Sequence, residues 1–197
     1  MKALNNLKKL KNPKQIQDYL NSLPFNFEKK GETYRSVCRT IESGTAHCFE
    51  GALVAVFALK QLGYKPFLLD LRATDKDIDH VVAIYKVDGC WGAISKTNHA
   101  VLRYREPIYK SVRELAMSYF HEYFLNNGQK TLRCFSKPFD LDKSGIDWVY
   151  GDKELFNLMY ALDNSLHIDI LTKKQIKNLR KADKIEIKTG EIVEYKK

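Results

Sequence analysis

The longest apolar block in the chain is Leu53-Val54-Ala55-Val56-Phe57-Ala58-Leu59, closed by Leu62 and Gly63. A run rich in Ala and Leu and ended by Gly predicts a buried helix with a glycine C-cap, starting near Cys48. It is too short and too interrupted to cross a bilayer. Beyond it the period changes. Lys65 to Leu71 predicts a strand, and His80 to Val87, strongly β-branched, predicts another. Asp88-Gly89 is a hairpin turn signal, so Cys90 to Ser95 is expected to return antiparallel to the preceding strand. The two open ends of a hairpin are neighbours, which places Ser95 beside His80.

The flanking segments carry weaker patterns. Ile16, Tyr19, Leu20 and Leu23 recur at helical spacing behind Pro13, predicting a helix over Pro13 to Leu23. Ser111 with Glu114 three residues on reads as a capping box, and Leu115, Tyr119, Phe120, Tyr123 and Phe124 form a stripe, predicting a helix from Ser111 to Asn127. A strand is expected within Lys130 to Phe139 and a loop to Asp147, with Trp148, Val149 and Tyr150 as its anchor. A helix capped by Asp152 runs to Asp163, followed by a short strand from His167 to Leu171 and a basic helix from Thr172 to Lys181. Lys184 to Tyr195 alternates with period two around Thr189-Gly190 and predicts a β-hairpin. The sum is an α+β chain.

Composition adds bounds. With 197 residues, 44% of them hydrophobic, the chain is expected to form one domain over 1–197, with a core at about 33–127 and an extension at 128–197 packed on it. The net charge of +9 admits an anionic partner, such as nucleic acid or an acidic substrate, without requiring one. The basic segment Met1 to Asn12 has no apolar run after its charges, so no secretory signal is expected and the location should be cytoplasmic. Four widely spaced cysteines include no C-x-x-C pair, so neither a zinc site nor, in a reducing compartment, a disulfide is expected. No cofactor, metal or membrane contact is expected, and the oligomeric state is open.

Candidate chemistry centres on Gly44-Thr45-Ala46-His47-Cys48-Phe49-Glu50-Gly51-Ala52, a loop that turns into the apolar helix. In a first helical turn, unpaired N–H groups and the helix dipole favour an anion, so the Cys48 thiol should ionise readily. Taken singly, a cysteine in an Ala/Leu helix is most often a small core residue. A histidine entering a strand is most often structural too. The combination is more specific: Cys48 at a helix start, then His80 at a strand start, then the Asp88-Gly89 hairpin with Trp91 just after it.

That order resembles the transglutaminase-like superfamily of papain-related cysteine enzymes, over roughly Gly44 to Pro107. The segment from Gly89 to His99, continued by Leu102 to Pro107, is also similar to a bacterial subgroup of that superfamily with no assigned activity. The resemblance implies a nucleophile helix packed on an antiparallel sheet, here with extra C-terminal helices and the hairpin. It implies Cys48 as nucleophile and His80 as general base. The superfamily usually places an Asp where this chain has Ser95. In a serine enzyme losing that acid costs about 10⁴ in rate, whereas a cysteine–histidine pair can rest as an ion pair and needs the third group mainly to orient the ring. Ser95 or Asn98 could serve, with Asp70, Asp77 and Asp79 as alternates.

The expected activity is therefore a cysteine-dependent hydrolase or acyltransferase on a peptide or other amide. His47, Trp91, Arg103 and Arg105 are the candidate substrate-binding residues. Arg103 and Arg105, two apart, would share a face of a strand and could grip a carboxylate or phosphate. A structural ion pair with Glu106, or an exposed strand face, is an equal reading. His47 is adjacent to Cys48, and neighbours on a helix point apart. Two other classes stay open: a papain-like scaffold that binds without catalysis, motivated by Ser95, and a nucleic-acid-associated protein, motivated by Lys173, Lys174, Lys177, Arg180, Lys181 and Lys184.

Overall fold

The computed structural model describes residues 3–196. Six strands form one sheet: β1 (Phe67–Arg72), β2 (His80–Val87), β3 (Cys90–Ile94), β4 (Arg105–Tyr109), β5 (Cys134–Ser136) and β6 (His167–Asp169). Their order is β4-β3-β2-β1-β5-β6, and every neighbouring pair is antiparallel. The turn between β2 and β3 is Asp88-Gly89 with φ of 48° and 80°, both left-handed, as a tight hairpin turn demands. Strands from beyond residue 127 complete the sheet, so the chain's last third contributes to the central layer itself.

β2 explains its own composition. Val81, Ala83 and Tyr85 pack on one face, Val82 and Ile84 on the other. A strand covered on both faces needs a continuous apolar run, which is what stands there. The first face is covered by α1 (Pro13–Ser22), α2 (Val37–Ser43) and α3 (Cys48–Gln61). Every residue of α3 from Phe49 to Leu59 is buried. Burying a Leu, Val or Phe side chain contributes roughly 1.5–3 kcal/mol, so this helix is fixed by its surroundings on all sides. The second face is covered by α4 (Val112–Met117) and the aromatic residues after it.

The expected helix over Ser111 to Asn127 ends at Met117, followed by one 3-10 turn over Phe120–Glu122. Ser118 stops it. Its hydroxyl donates to the Leu115 carbonyl at 2.6 Å, while Arg105 donates to the Ser118 carbonyl at 3.2 Å, so two helical carbonyls are satisfied from outside the helix. The stripe is still used: Leu115, Tyr119, Phe120 and Tyr123 are buried.

The expected β-hairpin over Lys184 to Tyr195 is a helix, α7 (Lys184–Glu191). Glu186 Oε2 accepts from the Asp183 N–H at 2.6 Å, the return half of a capping box worth about 1 kcal/mol. The alternating isoleucines offer little against it, since Ile185 is 71% exposed and no residue of α7 is buried. Two further helices are shorter than their patterns suggest. α5 (Phe156–Asp163) begins after Asp152 because Glu154 is drawn to the Tyr34 N–H at 2.5 Å and to Arg39 at 2.6 Å. α6 (Lys173–Lys177) stops at Asn178. The six basic residues expected to cluster there are all exposed, and Arg180 pairs with Asp183 at 2.8 Å. Among the described residues no helix is long and apolar enough to cross a membrane.

Candidate active site

Cys48 is the first residue of α3, and His47 is its N-cap, with φ −98° and ψ −172°. His47 therefore lies outside the helix, so the rule that helical neighbours diverge does not apply to it. Its ring folds back over the first turn: Nδ1 lies 3.3 Å from the Phe49 amide, and Nε2 donates to the Thr33 carbonyl at 2.7 Å. The Glu50 carboxylate accepts from the His47 N–H at 3.1 Å and completes the cap. Glu50 is fully buried and ion-paired with Arg35 at 2.5 Å. Arg35 and its neighbours hold the Glu50 carboxyl below the usual carboxylate range against the cost of burial.

Burial alone would raise the Cys48 thiol pKa. Hydrogen bonding to His47 and His80, and their positive charge, overcome it and hold the thiol well below its ordinary value. The converse holds for His47. Burial lowers it, but the Cys48 thiolate, Glu50 and the Thr33 carbonyl together raise it to about 9. Nδ1 thus has two possible uses, as acceptor from Phe49 or as donor to the thiolate. With its pKa raised to about 9 the ring is protonated at neutral pH, where Nδ1 can only donate, so the Phe49 contact belongs to the neutral ring.

His80 opens β2 and is 6% exposed. Its Nε2 lies 2.8 Å from Ser95 Oγ. Ser95 Oγ in turn donates to the Leu102 carbonyl at 2.5 Å, so its proton is committed and it can only accept from His80. Nε2 therefore carries the hydrogen, and Nδ1 is the nitrogen left for the thiol. Ser95 is held by its backbone too. Gln17 on α1 donates Nε2 to the Ser95 carbonyl at 2.8 Å and accepts from the Ser95 N–H at 2.9 Å. Gly51 lets the chain after Ser95 cross the first turn of α3. A Cβ there would stand 2.4 Å from Lys96 Cβ, so only glycine fits.

The other sequence candidates lie elsewhere. Asn98 does not reach His80. Both ends of its amide bind the backbone of Tyr195, at 2.9 Å each. Trp91 packs edge-on to Phe67 with Lys86 over its ring, away from the cleft. Arg103 precedes β4 instead of lying on it, and meets Glu194 at 3.3 Å. Arg105 pairs with Glu122 at 2.7 Å and stacks 4.1 Å from the centre of Tyr119. The two arginines make no shared face, and their partners are Glu194 and Glu122 where Glu106 was expected.

Cys48 and His47 open onto a cleft of about 580 Å³ whose walls include Tyr34, Phe49, Asp70, Arg72, Asp79 and Asp163. His80, buried, is not among the residues that line it. The Tyr34 phenol, pushed up to about 12 chiefly by burial, stays a donor at any ordinary pH. Asp70 and Asp79, alternates for orienting His80, are used otherwise. Asp79 accepts from the Ala73 N–H at 2.8 Å, and Asp70 meets His167 Nε2 at 2.9 Å. Asp77 accepts from Thr131. Oxygens of Asp70, Asp79 and Asp163 lie within 4.8 Å of one another, a spacing that could hold a cation. Arg72 already pairs with all three, at 3.5 Å from Asp70 and 3.7 Å from Asp79, and His167 is a second partner of Asp70. Burial raises the Asp70 carboxyl above its usual range despite those partners. Gln17, Arg35, Glu50 and His167 had no signal in sequence spacing: Gln17 and Ser95 are 78 residues apart, Asp70 and His167 97.

No protein-family model and no curated protein match this chain. Among solved structures, Legionella pneumophila LapG (EGTA-treated) is similar at 15% identity and a TM-score of 0.38, over 48% of this chain. The match spans little more than half of that neighbour, 57% of its length.

Proposed function

We propose that Cys48 and His80 are the nucleophile and general base of a cysteine-dependent hydrolase or acyltransferase acting on amides, with Ser95 as the group that orients His80. The observation that carries the reading is the His80 Nε2 to Ser95 Oγ contact of 2.8 Å, in a chain whose Cys48 opens a buried helix and whose thiol the two histidines hold well below its ordinary pKa. The resemblance of the Gly44-to-Pro107 segment to transglutaminase-like enzymes supports it. The chain's own geometry supports a histidine with its proton on Nε2, and the lowered pKa of Cys48 supports a thiolate at the start of α3.

In the proposed reaction the Cys48 sulfur attacks the substrate carbonyl carbon, and the carbonyl π electrons move onto oxygen. The Cys48 N–H, free of a helical partner in the first turn, donates to that oxyanion, and Tyr34 lines the same cleft with its phenol. The proton on His80 Nδ1 passes to the leaving amine as the C–N bond breaks, leaving a thioester on Cys48. Water, deprotonated by His80, or an acceptor amine then attacks the thioester and frees the thiol. Asp75 and Asp77, which line the cleft and make no ion pair among the described residues, favour substrates that carry a cationic group.

The test is turnover of a fluorogenic peptide-amide library by the wild type, Cys48→Ala and His80→Ala. Activity lost in both variants is the expected result. Turnover that survives both would sink the proposal. A second reading, a binding protein on this scaffold, rests on the neutral Ser95. It is favoured if wild-type Cys48 alkylates no faster than Cys90.

A further inference from the structure

We propose that residues 98–100 form a docking edge for an extended peptide, and that residues 192–195 of the same chain now occupy it as a strap. The contacts run in sequence. Ala100 N–H donates to the Ile192 carbonyl at 3.0 Å, and Glu194 N–H donates to the Asn98 carbonyl at 2.8 Å. His99 and Val193 form an isolated antiparallel bridge. The Asn98 side chain then reads both main-chain groups of Tyr195, donating to its carbonyl and accepting from its N–H, each at 2.9 Å. Four hydrogen bonds thus hold the strap through its backbone.

Its side chains add one ion pair, Glu194 to Arg103 at 3.3 Å, and the Tyr195 ring near Lys96. Ile192 is 60% exposed and Val193 39% exposed. A partly exposed ion pair adds little, so a segment held chiefly through four main-chain bonds is recognised with little regard to its sequence, as in strand addition to a sheet edge. Any extended peptide could therefore take its place. The edge also leads somewhere. Tyr195 and Lys196 line a second cavity of about 710 Å³, and that cavity shares Phe25 and Glu28 with the Cys48 cleft. Lys96, which crosses the first turn of α3, has Nζ 5.7 Å from the Tyr195 ring centre. A peptide docked on residues 98–100 would run toward the thiol, which names an extended peptide backbone as the substrate class. The functional meaning of docking rests on the proposed chemistry, but docking itself does not.

The test uses the full chain and a fluorescein-labelled synthetic peptide, Gly-Glu-Ile-Val-Glu-Tyr-Lys, read by anisotropy. Glu194→Pro/Tyr195→Pro removes the two strap N–H donors. Exchange of the Ala100 amide, read by NMR, reports release of the strap. A cis occupant taxes a competitor by the fraction of sites it leaves open, so the released variant should bind the peptide at least about tenfold more tightly than wild type. A scrambled peptide should bind comparably, and Asn98→Ala added to the released variant should abolish binding. The proposal is overturned if the Ala100 amide stays protected in the proline variant, if that variant binds no better than wild type, or if binding ignores Asn98. No readout involves Cys48, so an inert thiol would leave the docking edge standing, and a failed edge would leave the chemistry standing.

Discussion

Ser95 Oγ stands 2.8 Å from His80 Nε2 while giving its own proton to the Leu102 carbonyl. One hydroxyl thereby fixes the tautomer of the histidine and caps a carbonyl at the same time. A carboxylate at this position would serve the first task and fail the second, because it cannot donate to Leu102. Ser95→Ala should lower kcat/KM by about 5- to 30-fold, the worth of one buried hydrogen bond of roughly 1–2 kcal/mol. Ser95→Asp, the residue usual in transglutaminase-like enzymes, should fail to improve turnover and should lower stability by roughly 1–3 kcal/mol, measured by chemical denaturation. A more active, equally stable Ser95→Asp enzyme would contradict the assignment of that proton.

Thiol reactivity should separate Cys48 from Cys38 and Cys134 by pH. Cys48 is held well below its ordinary pKa, whereas burial raises Cys38 and Cys134. Iodoacetamide alkylation followed by peptide mass spectrometry should show Cys48 reacting at a nearly level rate across the neutral range. Cys38 and Cys134 should instead gain about tenfold per pH unit, as the thiolate fraction grows. His80→Ala and His47→Ala should each steepen the Cys48 profile. A Cys48 rate that climbs in parallel with the other two would mean that no ion pair holds its thiolate.

Gln17 grips both main-chain groups of Ser95, so it positions the residue that orients His80. Gln17→Glu keeps the acceptor and loses the donor, setting a carboxylate against the Ser95 carbonyl. It should lower Cys48 reactivity at pH 6 several-fold, with a smaller change at pH 9 where thiolate forms without help. Gln17→Ala should do the same with a lower melting temperature. A purely structural Gln17 would shift the melting temperature and leave the pH dependence of alkylation alone.

This residue also marks where sequence reading stops. The neighbourhood of His80 and Ser95 is legible because the ends of a hairpin meet, and Asp88-Gly89 announces the hairpin with two left-handed φ values. α3 is legible because burial all round leaves an unbroken apolar run. Gln17 is not, because an amide that bonds a backbone 78 residues away leaves no trace in spacing. Asn98 misleads for the same reason: its amide suits a ring nitrogen or a peptide unit equally, and Tyr195 claims it. The C-terminal hairpin fails differently. With no sheet edge to bury Ile185 and Ile187, the period of the isoleucines counts for less than the local cap at Asp183.

The buried cluster beneath the thiol sets the pH window of stability. The Glu50 carboxyl is depressed by Arg35 and His47, so its contribution is present above the ordinary carboxylate pKa of about 4.3 and is lost as pH falls through its lower folded value. His47 is raised to about 9, so its contribution is complete below about 6.5 and is lost as pH rises toward 9. Cys48 works the other way: its depressed pKa means that stability is gained as pH rises toward the ordinary thiol value of about 8.5. Between about 6.5 and 8.5 the slopes of His47 and Cys48 oppose, and the wild type should be nearly level there. Cys48→Ala removes the thiolate that raises His47 and leaves the burial that lowers it. The His47 imidazole, followed by NMR, should then titrate far below 9. Arg35→Ala strips a fully buried carboxylate of its partner and should cost roughly 3–5 kcal/mol at pH 7, with much of the loss recovered as Glu50 protonates at low pH. An Arg35→Ala protein as stable as wild type at pH 7, or a His47 pKa indifferent to Cys48, would mean that the first turn of α3 is not built as a coupled ion-pair network.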